Sequence, residues 1–265
     1  MITMLRNAML AAAAIAALAA PLAARAEETP VRNIVLVHGA FADASGWRGV
    51  HDILTARGYH VSEVQNPLTS LAEDVAATRR VLDRQDGPAV LVGHSWGGSV
   101  ITEAGIHPAV RALVYVAALA PDAGETTAQQ YAGFTTPPEF VIETGADGFG
   151  FVPRDQFRAA FAADLPEADA AFLAASQVPI NMSVFATPLQ HAAWRDRPSR
   201  AVFGTADKAF DQRMLHAMAE RIGAQVTELP GASHALFISQ AEAVADVIEE
   251  AARQASAAEE TAEAR

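Results

Sequence analysis

Gly93-His94-Ser95-Trp96-Gly97 is the stretch of this chain whose residue types and spacing can do chemistry. It follows the apolar run 89–92 and opens a helical pattern containing Val100-Ile101-Thr102. That is the strand-turn-helix setting in which a Gly-x-Ser-x-Gly motif lifts its serine clear of a sheet. The turn brings the hydroxyl to a helix N-terminus, whose positive dipole end favours developing negative charge. Gly98 extends the glycine run and lets the helix pack close to the sheet.

A serine hydroxyl is a poor nucleophile at neutral pH, so a base must lie within hydrogen-bond reach and be oriented by an acid. Downstream, Asp207 ends Phe203-Gly204-Thr205-Ala206-Asp207 just past one apolar strand, and His234 ends Pro230-Gly231-Ala232-Ser233-His234 just past the next. In a parallel sheet both positions share the edge that carries Ser95. We therefore expect Ser95 as nucleophile, His234 as general base and Asp207 as orienting acid. Two rival acids stay open: Asp122, beyond the strand 112–116, and Asp211, whose place at a helix start already suits a carboxylate. The other seven histidines, His38, His51, His60, His94, His107, His191 and His216, read as surface or core side chains.

A tetrahedral intermediate also needs hydrogen-bond donors. Trp96 supplies one backbone N–H by its position after the serine. The second comes from the loop His38-Gly39-Ala40-Phe41, with Ala40 as expected donor and Phe41 as fallback. Phe41, Trp96, Tyr131, Phe134, Phe149 and Trp194 are candidates to line an apolar substrate pocket.

These residues need a scaffold. Strands are expected at 33–37, 60–64, 89–92, 112–116, 200–203 and 225–228, and helices at 46–57, 71–83, 97–107, 210–222 and 241–252. Continuous apolar runs such as Ile34-Val35-Leu36-Val37 imply burial on both faces, and the alternation with helices gives an α/β class with a doubly wound, mostly parallel sheet. Residues 121–196 break the alternation with prolines, aromatics and short helical patterns at 155–163 and 168–176. An insertion at that point lies above the carboxyl ends of the strands, so we read it as a helical lid.

Residues 1–26 combine Arg6, an apolar run and Ala24-Arg25-Ala26, which reads as a secretory signal peptide cleaved before Glu27 and places the protein in the periplasm or outside the cell. Its run of about 15 apolar residues is shorter than a bilayer span. The domain then covers 27–254, followed by a flexible Ala/Glu tail at 255–265. Loss of Arg6 and Arg25 takes the formal charge from −12 to −14, a balance that disfavours nucleic acid and anionic membrane surfaces as partners. With no cysteine in 265 residues, disulfides, thiolate metal sites and cysteine nucleophiles are excluded. No His-x-Glu-x-x-His spacing and no Gly-x-Gly-x-x-Gly after a strand is present, so neither metal nor cofactor is expected.

Taken together, the His38–Phe41 loop, Ser45-Gly46-Trp47, Gly93–Gly98 and the Asp207 and His234 segments make the chain resemble the α/β-hydrolase superfamily from about Val31 to Ala252. Within it the chain is similar to the small single-domain group of plant methyl esterases, hydroxynitrile lyases and bacterial carboxylesterases such as pyrethroid hydrolases. The resemblance implies Ser95, Asp207 and His234 as a triad, with Ala40 and Trp96 as oxyanion donors. Ala40 and Ala235 stand where the lyases carry threonine and lysine, and Ser95 stands where dehalogenases carry aspartate. The expected activity is hydrolysis of a small-molecule carboxylic ester, or a similarly activated acyl bond, through an acyl-serine. Two other classes are a cofactor-independent lyase or oxygenase using the same Ser-His dyad, and a non-catalytic binding protein on the same scaffold.

Overall fold

The computed structural model describes residues 30–263. The leader at 1–26 lies outside them. In chain order the elements are β1 (Asn33–Val37), α1 (Arg48–Ala56), β2 (His60–Val64), α2 (Leu71–Leu82), β3 (Ala89–His94), α3 (Gly97–Ala104) and β4 (Val110–Val116). After these come β5 (Glu143–Thr144), β6 (Phe149–Phe151), α4 (Arg154–Phe161), α5 (Glu167–Ser176) and β7 (Ile180–Asn181). The chain closes with β8 (Ser199–Gly204), α6 (Gln212–Arg221), β9 (Gln225–Leu229), α7 (Leu236–Ser239) and α8 (Ala241–Glu263).

Six strands pair in the order β2-β1-β3-β4-β8-β9, all parallel. β1 and β3 are buried along their whole length because both faces are covered, as their unbroken apolar sequences require. The chain leaves β1 outward to β2, then returns across it to β3 and continues in the other direction. Right-handed crossovers put α1 and α2 on opposite faces, so α1 packs on α8 while α2 packs on α3. The reversal falls between β1 and β3. At such a switch point the loops after two neighbouring strands splay apart and leave a crevice at the carboxyl edge.

Local chemistry sets the helix ends. Ser70 accepts from Glu73 N at the start of α2, and Asp211 accepts from Arg213 N, so α6 starts at Gln212 rather than at Phe210. α3 stops at Ala104, three residues short of the expected end, with Gly105 as its C-cap. The boundary drawn at Ala255 falls inside α8: Ala255 is buried, and Ser256 Oγ accepts from Val31 N at 3.0 Å.

The insertion between β4 and β8 holds the two expected helices, α4 and α5. It also holds a small antiparallel sheet, β5-β6-β7, that the helical patterns did not foreshadow. Among the described residues no helix is long and apolar enough to cross a membrane.

Candidate active site

The site assembles where β1, β3, β8 and β9 end. β3 runs into Ser95, whose φ of +53° lies in the left-handed region that a side chain enters only under constraint. The constraint is visible in the hydrogen bonds: Ser95 N donates to Val116 O, and Ser95 O accepts from Gly98 N at 2.9 Å and Leu119 N at 3.2 Å. Gly98 is required here because a Cβ would overlap Leu119 O.

The loop after β1 lies directly against the serine, since a Cβ added at Gly39 would sit 2.7 Å from Ser95 Cβ. His38 holds this loop. Its Nε2 accepts from Asn66 N at 2.9 Å and its Nδ1 bonds to Gly39 O at 2.8 Å, while Asn66 Nδ2 donates back to His38 O. An Nε2 that accepts fixes the Nδ1–H tautomer, and burial lowers the His38 pKa. Phe41 at the loop's end also has positive φ, +59°, and is buried.

Asp207 follows β8 and His234 follows β9. His234 Nδ1 is 2.8 Å from Asp207 Oδ2, and both side chains are fully buried. The second carboxylate oxygen accepts from Ala209 N and Phe210 N, at 2.7 and 3.0 Å. Pairing through Nδ1–H leaves His234 Nε2 as the acceptor, and that atom is buried without a hydrogen-bond partner, Ser95 included. The rival acids are engaged elsewhere. Asp122 pairs with Arg195 at 2.6 Å, which lowers its pKa. Asp211 caps α6 and binds Arg213, whose hydrogen bonds bring its carboxyl down to about 2.

Aromatic rings surround the histidine. Phe161 and Phe210 meet His234 edge-on, with centroids at 4.8 and 4.9 Å. His94 lies 4.7 Å away and bonds through Nε2 to His234 O at 3.0 Å, so the residue before the serine also holds the main chain of the histidine. Burial and the neighbouring His234 keep the His94 pKa well below its ordinary value. The lid grips both flanks of His234. Phe161 O accepts from Ala235 N at 2.9 Å, and Asp164 Oδ2 accepts from Ser233 N at 3.1 Å.

The aromatic residues proposed as pocket lining divide. Phe41 meets Phe140 edge-on and, with Phe157, Phe161, Leu173 and Phe237, borders a narrow cleft of about 10 Å³. Tyr131 packs on Phe210 at 6.0 Å, and its hydroxyl pKa is pushed up by burial and by the Asp207 charge. Phe134 is half-buried against the core. Phe149 lies in β6, paired with Asn181 of the lid sheet. Trp194 faces other partners, donating to Pro121 O at 3.0 Å with the Arg195 and Arg221 guanidinium groups 5.6 and 5.8 Å from its ring. Phe161, Phe210 and His94 are the contacts that sequence reasoning missed. Phe210, three residues after Asp207, was the most accessible of them from spacing alone.

A wider open groove of about 420 Å³ lies at the amino ends of β1 and β2, lined by polar residues including His60, Glu63 and Asp86, away from this edge. Among the described residues no group of three or more histidine or acidic side chains is arranged to hold a metal ion.

The family model described as "Alpha/beta hydrolase family" matches residues 34–247. No curated protein sequence matches the chain. Among solved structures, a pyrethroid hydrolase from Sphingobium faniae JZ-2 superposes with a TM-score of 0.70 at 22% identity, over 84% of this chain and 98% of that one. An extracellular alpha/beta-hydrolase from a Paenibacillus species gives 0.69 at 19%, over 84% and 99%. Polyneuridine aldehyde esterase gives 0.72 at 18%, over 83% and 98%. At these identities the likeness is one of fold.

Proposed function

The chain belongs to the alpha/beta hydrolase family, and from that premise we propose that it is a serine esterase working through an acyl-enzyme. The observation that carries this is a serine held at φ +53° on the same sheet edge as a buried His-Asp pair whose outward nitrogen, His234 Nε2, has no partner. A neutral imidazole nitrogen not engaged in a structural hydrogen bond is free to take the proton of an attacking hydroxyl.

In this reading Ser95 Oγ attacks the ester carbonyl carbon while its proton passes to His234 Nε2. Asp207 keeps the imidazole in the Nδ1–H tautomer and stabilises the imidazolium. The carbonyl oxygen becomes an oxyanion facing the backbone N–H groups of Ala40 and Trp96. Collapse expels the alkoxide, which takes the proton from His234, and leaves the acyl group on Ser95. Water then attacks the acyl carbon, giving its proton to His234, which returns it to Ser95 Oγ as the acyl–oxygen bond breaks and the acid leaves. Phe161 and Phe210 against the His234 ring make the surroundings of the base apolar, which supports a neutral, apolar ester over one bearing a carboxylate.

A fluorophosphonate probe should label Ser95, and rapid quenching with a p-nitrophenyl ester should trap the acyl group on the Ser95 peptide. Ser95→Ala should lose the adduct and turnover alike. Retention of most activity by Ser95→Ala would sink the acyl-enzyme and leave a proton shuttle centred on His234. Residues 1–26 we take as an export leader, and exported protein whose intact mass begins at Glu27 would support that.

A further inference from the structure

We infer that Asp74 is a positioning residue for the oxyanion side of this site, holding the indole of Trp96 with one carboxylate oxygen and, with the other, Leu68, which carries the base of the lid. The inference rests on the acyl-enzyme reading, in which the Trp96 N–H is an oxyanion donor.

Asp74 lies in the first turn of α2, on the face buried with Leu71, Val75, Thr78 and Leu82, and is 0% exposed. Its Oδ2 accepts from Trp96 Nε1 at 2.8 Å. Its Oδ1 accepts from Leu68 N, also at 2.8 Å. Leu68 is itself constrained, fully buried with φ +58°, a conformation costing a non-glycine residue about 1 kcal/mol or more unless its surroundings impose it.

Both branches lead to one lid segment. Leu68 O accepts from Asn181 N of β7 at 2.9 Å, and the Trp96 ring meets Phe185, four residues further on, edge-on at 5.4 Å. A displacement of this segment is therefore felt at the residue that follows the nucleophile.

The chemistry explains why a carboxylate stands here. Two N–H donors converge on one side chain, and a carboxylate offers an acceptor oxygen to each. Asparagine would turn its own NH₂ toward one of them. The arrangement is costly: burial pushes the Asp74 carboxyl up to about 6, against the opposing pull of the Trp96 and Leu68 donors, with nearby Glu73 adding to the rise. A site that needed only a helix cap would not require a buried charge, since Ser70 already caps α2.

The test compares wild type, Asp74→Asn, Trp96→Phe and the double variant by steady-state kinetics, fluorophosphonate labelling rate, tryptophan emission and thermal melting. Asp74→Asn should lower kcat and the labelling rate about tenfold or more, as misplacing one oxyanion donor does, with KM changing less than about threefold. It should also shift tryptophan emission, and the shift should vanish when Trp96 is phenylalanine. Trp96→Phe, which leaves Asp74 in place, should slow labelling by a similar factor, and adding Asp74→Asn should then cost less than about twofold more. Labelling within about twofold of wild type in a folded Asp74→Asn protein, or full additivity in the double variant, overturns the positioning role. Should Asp74→Asn fail to fold, Trp96→Phe decides alone, and wild-type labelling in that variant overturns it. Absence of labelling in wild type instead removes the acyl-enzyme reading beneath it.

Discussion

At the carboxyl edge of the sheet, backbone geometry leaves few alternatives: Ser95 sits at φ +53°, Gly39 and Gly98 have no room for a Cβ, and His38 is bonded at both ring nitrogens. The insertion between β4 and β8 is held differently, largely by side chains reaching across it. Arg195 pairs with Asp122, Arg221 with Glu125, Glu103 takes Gln190 N, and Phe161 rests on His234. An isosteric side-chain change at the edge should therefore act on chemistry at nearly constant stability, whereas a truncation in the insertion should act mainly on stability.

The largest expected effect breaks the edge. Asp207→Asn should lower kcat by about 10⁴-fold by disturbing the imidazole tautomer, while Asp122→Asn and Asp211→Asn stay within about threefold. Steady-state rates with matched circular dichroism would check this, and a severe loss in Asp122→Asn alone would reassign the acid. Next, Phe161→Ala removes a buried ring from the insertion and should destabilise by about 3 kcal/mol or more, read by urea unfolding. Its effect on kcat should be far smaller than that of Asp207→Asn.

A third effect joins the two regions through Asp74. Its carboxyl, near 3.8 in the unfolded chain and raised to about 6 in the fold, binds its proton more tightly when folded. The contribution to stability is thus fully present below about pH 4, is lost as pH rises through 6, and amounts to about 3 kcal/mol. Asp74→Asn should flatten the fall in stability between pH 4 and 6, measured by thermal melting across that range. The smallest effect is at Trp194: Trp194→Phe should cost about 1 kcal/mol for its bond to Pro121 O and leave kcat within about twofold, because its partners are Pro121, Arg195 and Arg221. A large loss of kcat there would return it to the substrate pocket.

The same contrast explains what could be read from the sequence. The central strands announce themselves because burial on both faces demands unbroken apolar runs, and Ser95 and Asp207 are legible as the residues beyond two of them, whereas β9 ahead of His234 is a largely exposed edge strand marked mainly by the Pro230-Gly231 turn that ends it. The lid sheet could not be read, since β5 and β7 have two residues each and no periodicity to detect. Asp74 was hidden by type: an acidic residue beside Glu73 in a helix's first turn looks solvated, although its spacing from Leu71 and Thr78 puts it on the apolar face. His38 passed for an ordinary core histidine, and only the fold shows that its two ring nitrogens shape the loop beside Ser95.

Phe161 O and Asp164 Oδ2 take the main-chain N–H groups on either side of His234, Ala235 N and Ser233 N. The insertion thus splints the histidine from outside the sheet: residues that supply no reacting group fix where its ring sits, so loosening α4 or the turn after it should loosen the imidazole as well.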